Sequence, residues 1–269
     1  MSFNGNSQPF NPQVPMAKIY TIINNKGGTG KTTTTLNLGA AMARLKKKVL
    51  LIDLDSQCNL SSALGIPHSE PHVGSLMLNS ASWEEVMQNH DSLKVVPGSD
   101  KLLEYEVMIN SEPGREYLLK EALEKVQNDF DYIFIDCPPS LGIYSINSLV
   151  AANRFIVPMQ TENFAFIGLD KILTVADKVK KRLNPQLELT GILLIRYTSR
   201  IKFGQAVVSN IESNTQIGKK ILRTKVRQDI NLMESSAFSQ TIFEYAPKSR
   251  GAEDFMQLAK EIRKLYGEK

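Results

Sequence analysis

A chain of 269 residues, 42% hydrophobic and 22% charged, is long enough for one large α/β core, and no apolar run in it is long enough to span a bilayer. A net charge of +4 and a pI near 8.9 permit contact with nucleic acid without demanding it. Two cysteines, Cys58 and Cys137, fit a reduced cytosolic protein better than a disulfide scaffold.

Residues 1–15 are rich in Asn, Gln and Pro, carry no charge, and lack the basic start and apolar centre of a signal peptide. They are expected to be a disordered extension, with residues 16–269 as a single domain. Lys18–Ile23 is a β-branched run suited to a buried parallel strand. Asn24–Thr35 follows, reading Asn-Asn-Lys-Gly-Gly-Thr-Gly-Lys-Thr-Thr-Thr-Thr. Gly27, Gly28 and Gly30 let the backbone turn its N–H groups inward as an anion cradle. Lys31 supplies a point charge for the β- and γ-phosphates, and the Thr32 hydroxyl is placed to ligate Mg²⁺. Asn25 stands where the strict P-loop pattern has glycine, and left-handed backbone, which Asn tolerates, is the expected reason. Lys26 is an additional lysine that an ordinary P-loop does not need. The stretch from Leu36 to Leu45 is helix-forming and ends at Lys46-Lys47-Lys48, so the loop opens a helix whose dipole faces the phosphates. A glycine turn that binds nothing has no need of this strand–loop–helix setting.

Further strands are expected at Val49–Asp53, Leu93–Pro97, Tyr132–Asp136, Arg154–Pro158 and Leu189–Ile195, with helices near 114–128, 142–152, 165–182 and 204–216. This alternation predicts an α/β fold, a doubly wound, mostly parallel sheet with helices on both faces. A last helix over 251–266 puts Phe255, Leu258, Ala259, Ile262 and Leu265 on one face. Its opposite face mixes Glu253, Asp254 and Glu261 with Lys260, Arg263 and Lys264. Docking on the sheet is therefore expected, not membrane anchoring, which calls for a basic face.

Three acids close strands at the ligand-binding edge of such a sheet. Asp53 and Asp55 are two apart and share a side of an extended strand end. Asp136 ends an apolar strand as a Mg²⁺-supporting Walker B residue does. A lone strand-end aspartate is usually a cap or turn residue, but three behind a P-loop point to phosphate chemistry. Asp55 as the water-positioning group and Thr32 with Mg²⁺ form a coherent pair.

Lys26-Gly27-Gly28-Thr29-Gly30-Lys31-Thr32-Thr33, Asp53-Leu54-Asp55-Ser56-Gln57-Cys58-Asn59 and Asp136-Cys137-Pro138-Pro139-Ser140-Leu141-Gly142 together resemble the ParA/Soj family. Its members are deviant-Walker ATPases that partition plasmids and chromosomes. Gln160-Thr161-Glu162 with Gly168-Leu169, Tyr197-Thr198-Ser199-Arg200 and Ala246-Pro247-Lys248-Ser249-Arg250-Gly251-Ala252 extend the likeness from Lys18 to the C-terminus. The resemblance implies ATP and Mg²⁺ as cofactors, with Lys26 to Thr33 and, further on, Arg227 and Asp229 at the nucleotide. It implies that Lys26 reaches a partner's nucleotide across a sandwich homodimer and acts in catalysis with Lys31 and Asp55. Thr32, Asp53 and Asp136 would serve the metal, and Cys137 would be a buried strand-end residue. Further implications are non-specific double-stranded DNA binding by the ATP-bound dimer and a ParB-like centromere-binding partner that triggers slow hydrolysis. A cytoplasmic, nucleoid-associated location and no membrane contact follow from the same likeness.

Some positions depart from the family. Ser56 and Cys58 stand where Pro and Gly are common, Arg227 where a proline often lies by the adenine, and Asn231 where a basic residue is associated with DNA. Arg200, Lys202, Lys219, Lys225, Arg227, Lys248 and Arg250 are the expected DNA contacts, a solvated basic face being the plainer alternative. A MinD-like membrane-cycling ATPase would need a basic tail. An iron–sulfur reductase would need closely spaced thiolates, which Cys58 and Cys137 do not provide.

Overall fold

The computed structural model describes residues 17–160, 165–198 and 218–268. The expected extension at 1–15, the helix at 204–216, and Thr161, Glu162, Ser199, Arg200 and Lys202 lie outside the described residues. Seven strands, β1 (Lys18–Ile22), β2 (Val49–Asp53), β3 (Gln88–His90), β4 (Leu93–Val96), β5 (Tyr132–Asp136), β6 (Arg154–Met159) and β7 (Glu188–Leu194), stand in the order β3-β4-β2-β5-β1-β6-β7. Every described neighbour pair is parallel except β3–β4. The expected doubly wound sheet is therefore present, with a short antiparallel edge strand that was not expected.

Alternation along the strands divides the core in two. Ile19, Leu50, Ile52, Ile133 and Ile135 point to one face, and Tyr20, Ile22, Leu51, Tyr132 and Phe134 to the other, as a period of two requires. On the first face pack α5 (Leu102–Ser111), α6 (Leu118–Glu124), α7 (Ile143–Ala151) and α8 (Ala165–Arg182). Short helices α2 (Asn59–Ser62), α3 (Val73–Met77) and α4 (Trp83–Val86) join the strands nearer the chain start. The second face carries α1 (Lys31–Arg44), with α9 (Asn231–Ala237), α10 (Ile242–Tyr245) and α11 (Arg250–Leu265) layered over it.

Several expected boundaries shift. The helix expected at 114–128 opens only at Leu118, because Glu112-Pro113-Gly114 turns with Gly114 at φ 68. It then tightens into a 3-10 turn at Gln127–Asp129. Helix α5 was not expected, since its apolar residues are spread around the axis: Leu102 and Ile109 are buried while Leu103, Val107 and Met108 are exposed. The last helix docks as expected, with Ser249 capping its start by accepting from the Ala252 N–H at 3.2 Å. Phe255, Leu258, Ala259 and Ile262 are buried, but Leu265 is 53% exposed because the helix outruns the core there.

Candidate nucleotide site

The loop between β1 and α1 is held from both sides. Asn24 donates to the Pro158 carbonyl at 2.7 Å and accepts from the Lys26 N–H at 3.0 Å, and Gln160 donates to the Gly28 carbonyl at 2.6 Å. Left-handed backbone occurs at Gly28 (φ 72) and Gly30 (φ 81), not at Asn25. The expectation that Asn25 is tolerated for left-handed backbone is thus corrected: that position carries no such demand. Gly30 has a second constraint, since a Cβ there would lie 1.7 Å from Ile195 Cδ1. Gly30 is also the N-cap of α1 and offers no side-chain cap, so the first-turn N–H groups are left for an anion.

Lys31 is 7% exposed and donates to the Lys26 carbonyl at 3.4 Å. The Thr29 hydroxyl donates to the same carbonyl at 3.2 Å. Thr32 donates to Asp136 Oδ2 at 2.7 Å, which joins the first turn of α1 to the end of β5. Asp136 and Asp53 face each other across paired strands, fully buried. Burial pushes the Asp53 carboxyl up to about 6, against the pull of its Ser61 and Asp55 hydrogen bonds. Burial, then the charge of Asp53, raises Asp136 well above the usual carboxylate range. Such a pair calls for positive charge.

Asp53 does more structural work than the metal role expected for it. Its Oδ1 accepts the Asp55 N–H at 3.1 Å, and its Oδ2 accepts the N–H and hydroxyl of Ser61 at 2.9 and 2.8 Å. These bonds pin the segment that carries Asp55, whose Oδ1 accepts the Gln57 N–H at 3.0 Å. Cys58 sits in that segment at φ 52, a conformation glycine adopts without strain. Burial pushes the thiols of Cys58 and Cys137 up to about 12, and Cys137 donates to the Ser148 hydroxyl at 3.0 Å. Neither is an activated nucleophile.

A cavity of about 730 Å³ opens here, lined by Gly27, Gly28, Gly30, Lys31, Thr32, Thr33 and Asp55 on one side. The far wall comes from Ile195, Arg196, Arg227, Asp229, Met233 and Ser236. The volume suits a nucleotide-sized ligand. Lys26 is exposed and outside this lining, and Thr29 is turned onto the loop. Ile195, Arg196, Met233 and Ser236 were missed. The rule that ligands gather at strand C-termini reaches the first two through β7, whereas the last two are brought in by the return of α9.

Arg227 and Asp229 line the cavity, but their side chains bind the protein. The Arg227 guanidinium meets Asp254 at 2.6 Å and Glu253 at 2.5 Å, and these carboxylates raise its pKa further. A DNA contact by Arg227 is accordingly not what this geometry offers, because its charge is already matched. Asp229 accepts the Gly251 N–H at 2.8 Å and both nitrogens of Asn231. Burial alone would raise its pKa, yet these donors hold it below the usual value. The other basic candidates are scattered. Lys225 lies over the Tyr197 ring at 4.6 Å, and Lys248 and Arg250 flank the start of α11. Lys219 belongs to a 3-10 turn (Gly218–Lys220) beside β7.

The chain is similar to known proteins. The family described as AAA domain matches residues 17–189. Sporulation initiation inhibitor protein Soj of Bacillus subtilis is 38% identical over 251 residues, 92% of this chain and 98% of that protein. Chromosome partitioning protein ParA of Myxococcus xanthus is 36% identical over 253 residues, 93% of this chain and 89% of its own. Among solved structures, cobyrinic acid a,c-diamide synthase from Mycobacterium smegmatis with bound ADP and magnesium superposes with a TM-score of 0.82 at 31% identity, covering 93% of this chain and 96% of that one.

Proposed function

This chain belongs to the ParA/Soj family of P-loop ATPases, and from that premise we propose an ATP-driven partition switch that binds ATP and Mg²⁺ in the cavity at the strand C-termini. The residues there fit the pair: an uncapped helix start, a buried Lys31, and two buried acids, of which Asp136 accepts from Thr32. Bound with the nucleotide, Mg²⁺ supplies charge neutralisation at the phosphate oxygens. Thr32 and Asp136 are the residues that would hold it, Asp53 acting behind them as the anchor of the Asp55 segment. Asp55, pinned at the cavity wall, orients a water for attack.

The observation that carries the dimer reading is the division between two lysines five residues apart. Lys31 is buried in the cavity wall, while Lys26 is exposed outside it. A lysine on the rim serves a nucleotide held by a facing copy more readily than its own. In this reading the ATP-bound dimer holds duplex DNA without sequence preference, with Arg200, Lys202, Lys225, Lys248 and Arg250 as contacts, and a ParB-like partner stimulates hydrolysis. The membrane-cycling alternative is disfavoured by α11, whose apolar face is spent on the core. No described helix is long and apolar enough to cross a membrane.

Sizing an Asp55→Ala protein with and without ATP and Mg²⁺ tests the switch. A dimer is expected only with both present, and Lys26→Ala should remove it while nucleotide still binds. A protein that stays monomeric at saturating ATP would sink the sandwich-dimer reading. Salt-sensitive duplex binding that appears with ATP and weakens in Lys248→Glu/Arg250→Glu is the matching result for DNA.

A further inference from the structure

Seven large apolar side chains are exposed among the described residues, and three of them stand on the ten residues of α5: Leu103 (65%), Val107 (73%) and Met108 (51%). Three others belong to α9 and its flanks, where Ile230 and Met233 line the nucleotide cavity, and Leu265 ends α11. The α5 group has no such account. We propose that the outward face of α5 is the docking surface of the partner that triggers hydrolysis, and that the partner meets it with a cationic amphipathic helix. This rests on the partner-triggered reading above and adds the place and the chemistry of the contact.

Three observations carry it. First, the apolar side chains form a strip. At 3.6 residues per turn Leu102, Tyr105 and Ile109 share the inward side of α5, while Leu103 and Val107, four apart, share the outward side with Met108 next to them. Helix formation does not account for them. Val107 is β-branched, a poorer helix former than Glu, Lys or Gln, and on the outward side it gains nothing from the core. Anchors spaced by one helical turn are what a partner helix laid alongside would cover.

Second, the charge around the strip is one-sided. Between residues 100 and 116 the cations are Lys101 and Arg115, and both are matched, by Glu70 at 3.3 Å and by Glu116 at 3.4 Å. Asp100, Glu104, Glu106 and Glu112 have no ion-pair partner among the described residues. Apolar anchors framed by unmatched carboxylates select a cationic partner. A second copy meeting α5 about a two-fold axis would set these acids against themselves, and an anionic membrane surface would be repelled.

Third, the base of α5 is joined to the segment that carries Asp55. The Leu102 N–H donates to the Ser99 carbonyl at 3.0 Å, one residue beyond Gly98. The Gly98 N–H donates to Ser61 Oγ at 3.1 Å, the Ser61 hydroxyl to Asp53 Oδ2 at 2.8 Å, and Asp53 Oδ1 accepts the Asp55 N–H at 3.1 Å. The packing leaves no slack, since a Cβ on Gly98 would lie 3.0 Å from the Asp55 carbonyl oxygen. Tyr144, at the start of α7, donates to the Leu102 carbonyl at 2.5 Å, and the loop before it contributes Pro139 to the cavity wall. A partner seated on α5 therefore bears on the segments that follow Asp53 and Asp136, where it can adjust Asp55 without entering the cavity.

The ParB-like protein of the same organism, purified, is the probe. Its stimulation of phosphate release is titrated, and its affinity is measured on ATP-loaded Asp55→Ala protein. Leu103→Ser/Val107→Ser should weaken the probe about tenfold or more and reduce stimulation in step. Basal hydrolysis, ATP affinity and melting temperature should not change, because both side chains lie outside the core. Glu104→Lys/Glu112→Lys should weaken the probe most at low salt. A probe with two cationic residues of its contact helix reversed to Glu should bind that variant better than it binds wild type. Wild-type affinity and stimulation in both variants would overturn this surface and leave the partner-triggered reading standing. A wild-type chain that the probe never stimulates would remove that reading and the surface with it. Loss of the ATP-dependent dimer in Leu103→Ser/Val107→Ser would give the face to a second copy, and vesicle binding lost in the same variant would give it to a membrane; each would overturn the proposal.

Discussion

Asp53 and Asp136 are opposed carboxylates in a fully buried setting, and their raised pKa values have a definite sign for stability. Unfolded aspartates ionise near about 4, so between there and about 6 the folded chain holds protons that the unfolded chain releases. The contribution of Asp53 to stability is therefore complete below about pH 4 and is lost as pH rises through about 6, and that of Asp136 is lost as pH rises through its own raised value. Asp136→Asn, which keeps an acceptor for Thr32, should melt above wild type at pH 7 without nucleotide, and the gap should close toward pH 4. A gap independent of pH would show that repulsion in the pair is not its source. Asp55→Ala should bind ATP normally and hydrolyse it about 10²–10⁴-fold more slowly, measured by phosphate release.

Helix α11 acts as a rail for the far wall of the cavity. Glu261 accepts the N–H groups of Arg223 and Thr224 at 2.8 Å each, Asp254 accepts the Arg227 N–H at 2.8 Å, and the Gly251 N–H donates to Asp229. Three successive ties hold residues 223–229 along one helix. Asp254→Ala removes the middle one and leaves Arg227 with Glu253. The cost should be about 1–2 kcal/mol, discounted because the guanidinium is partly in solvent. The KM for ATP should rise several-fold as the wall loosens, and an unchanged KM would mean the wall keeps its shape without the pair. Ser249→Ala, which removes the N-cap, should lower stability by about 1 kcal/mol in a denaturant titration, with little effect on the P-loop.

At the scale of the whole molecule the cavity is assembled from the ends of β1, β2, β5 and β7 and from the segment leading into α9. Ligand binding there links elements far apart in sequence, so it should stabilise the fold as a unit. ATP with Mg²⁺ at about 100 times its Kd should add about 2.7 kcal/mol. ATP with a chelator should add less, because the buried acids then go without their counter-charge. Lys31→Ala should abolish both shifts in thermal melts. A full shift in that variant would place the phosphates away from this loop.

The P-loop was legible from residue types alone, because glycines, a lysine and a threonine at fixed offsets have a local reason to be there. So were the main strands: parallel strands buried on both faces read as apolar runs, and β1, β2 and β5 end in the loop or aspartate that the site uses. What spacing could not reach was whatever depends on long-range return of the chain. Nothing local says that Asp53 spends its oxygens on Ser61, or that Arg227 is matched by Asp254 rather than left for DNA. Nor does it say that Lys18, Lys47 and Arg263 meet around Glu268. Asn25 illustrates the converse: its residue type suggested left-handed backbone, and the packed loop placed that demand on Gly28 and Gly30. Local pattern determines which segments are strands, helices and phosphate loops, because those choices turn on the period of burial and on backbone sterics. The partners of each buried charge are decided only when the sheet brings its strands together, because pairing energy depends on distances that sequence separation does not set.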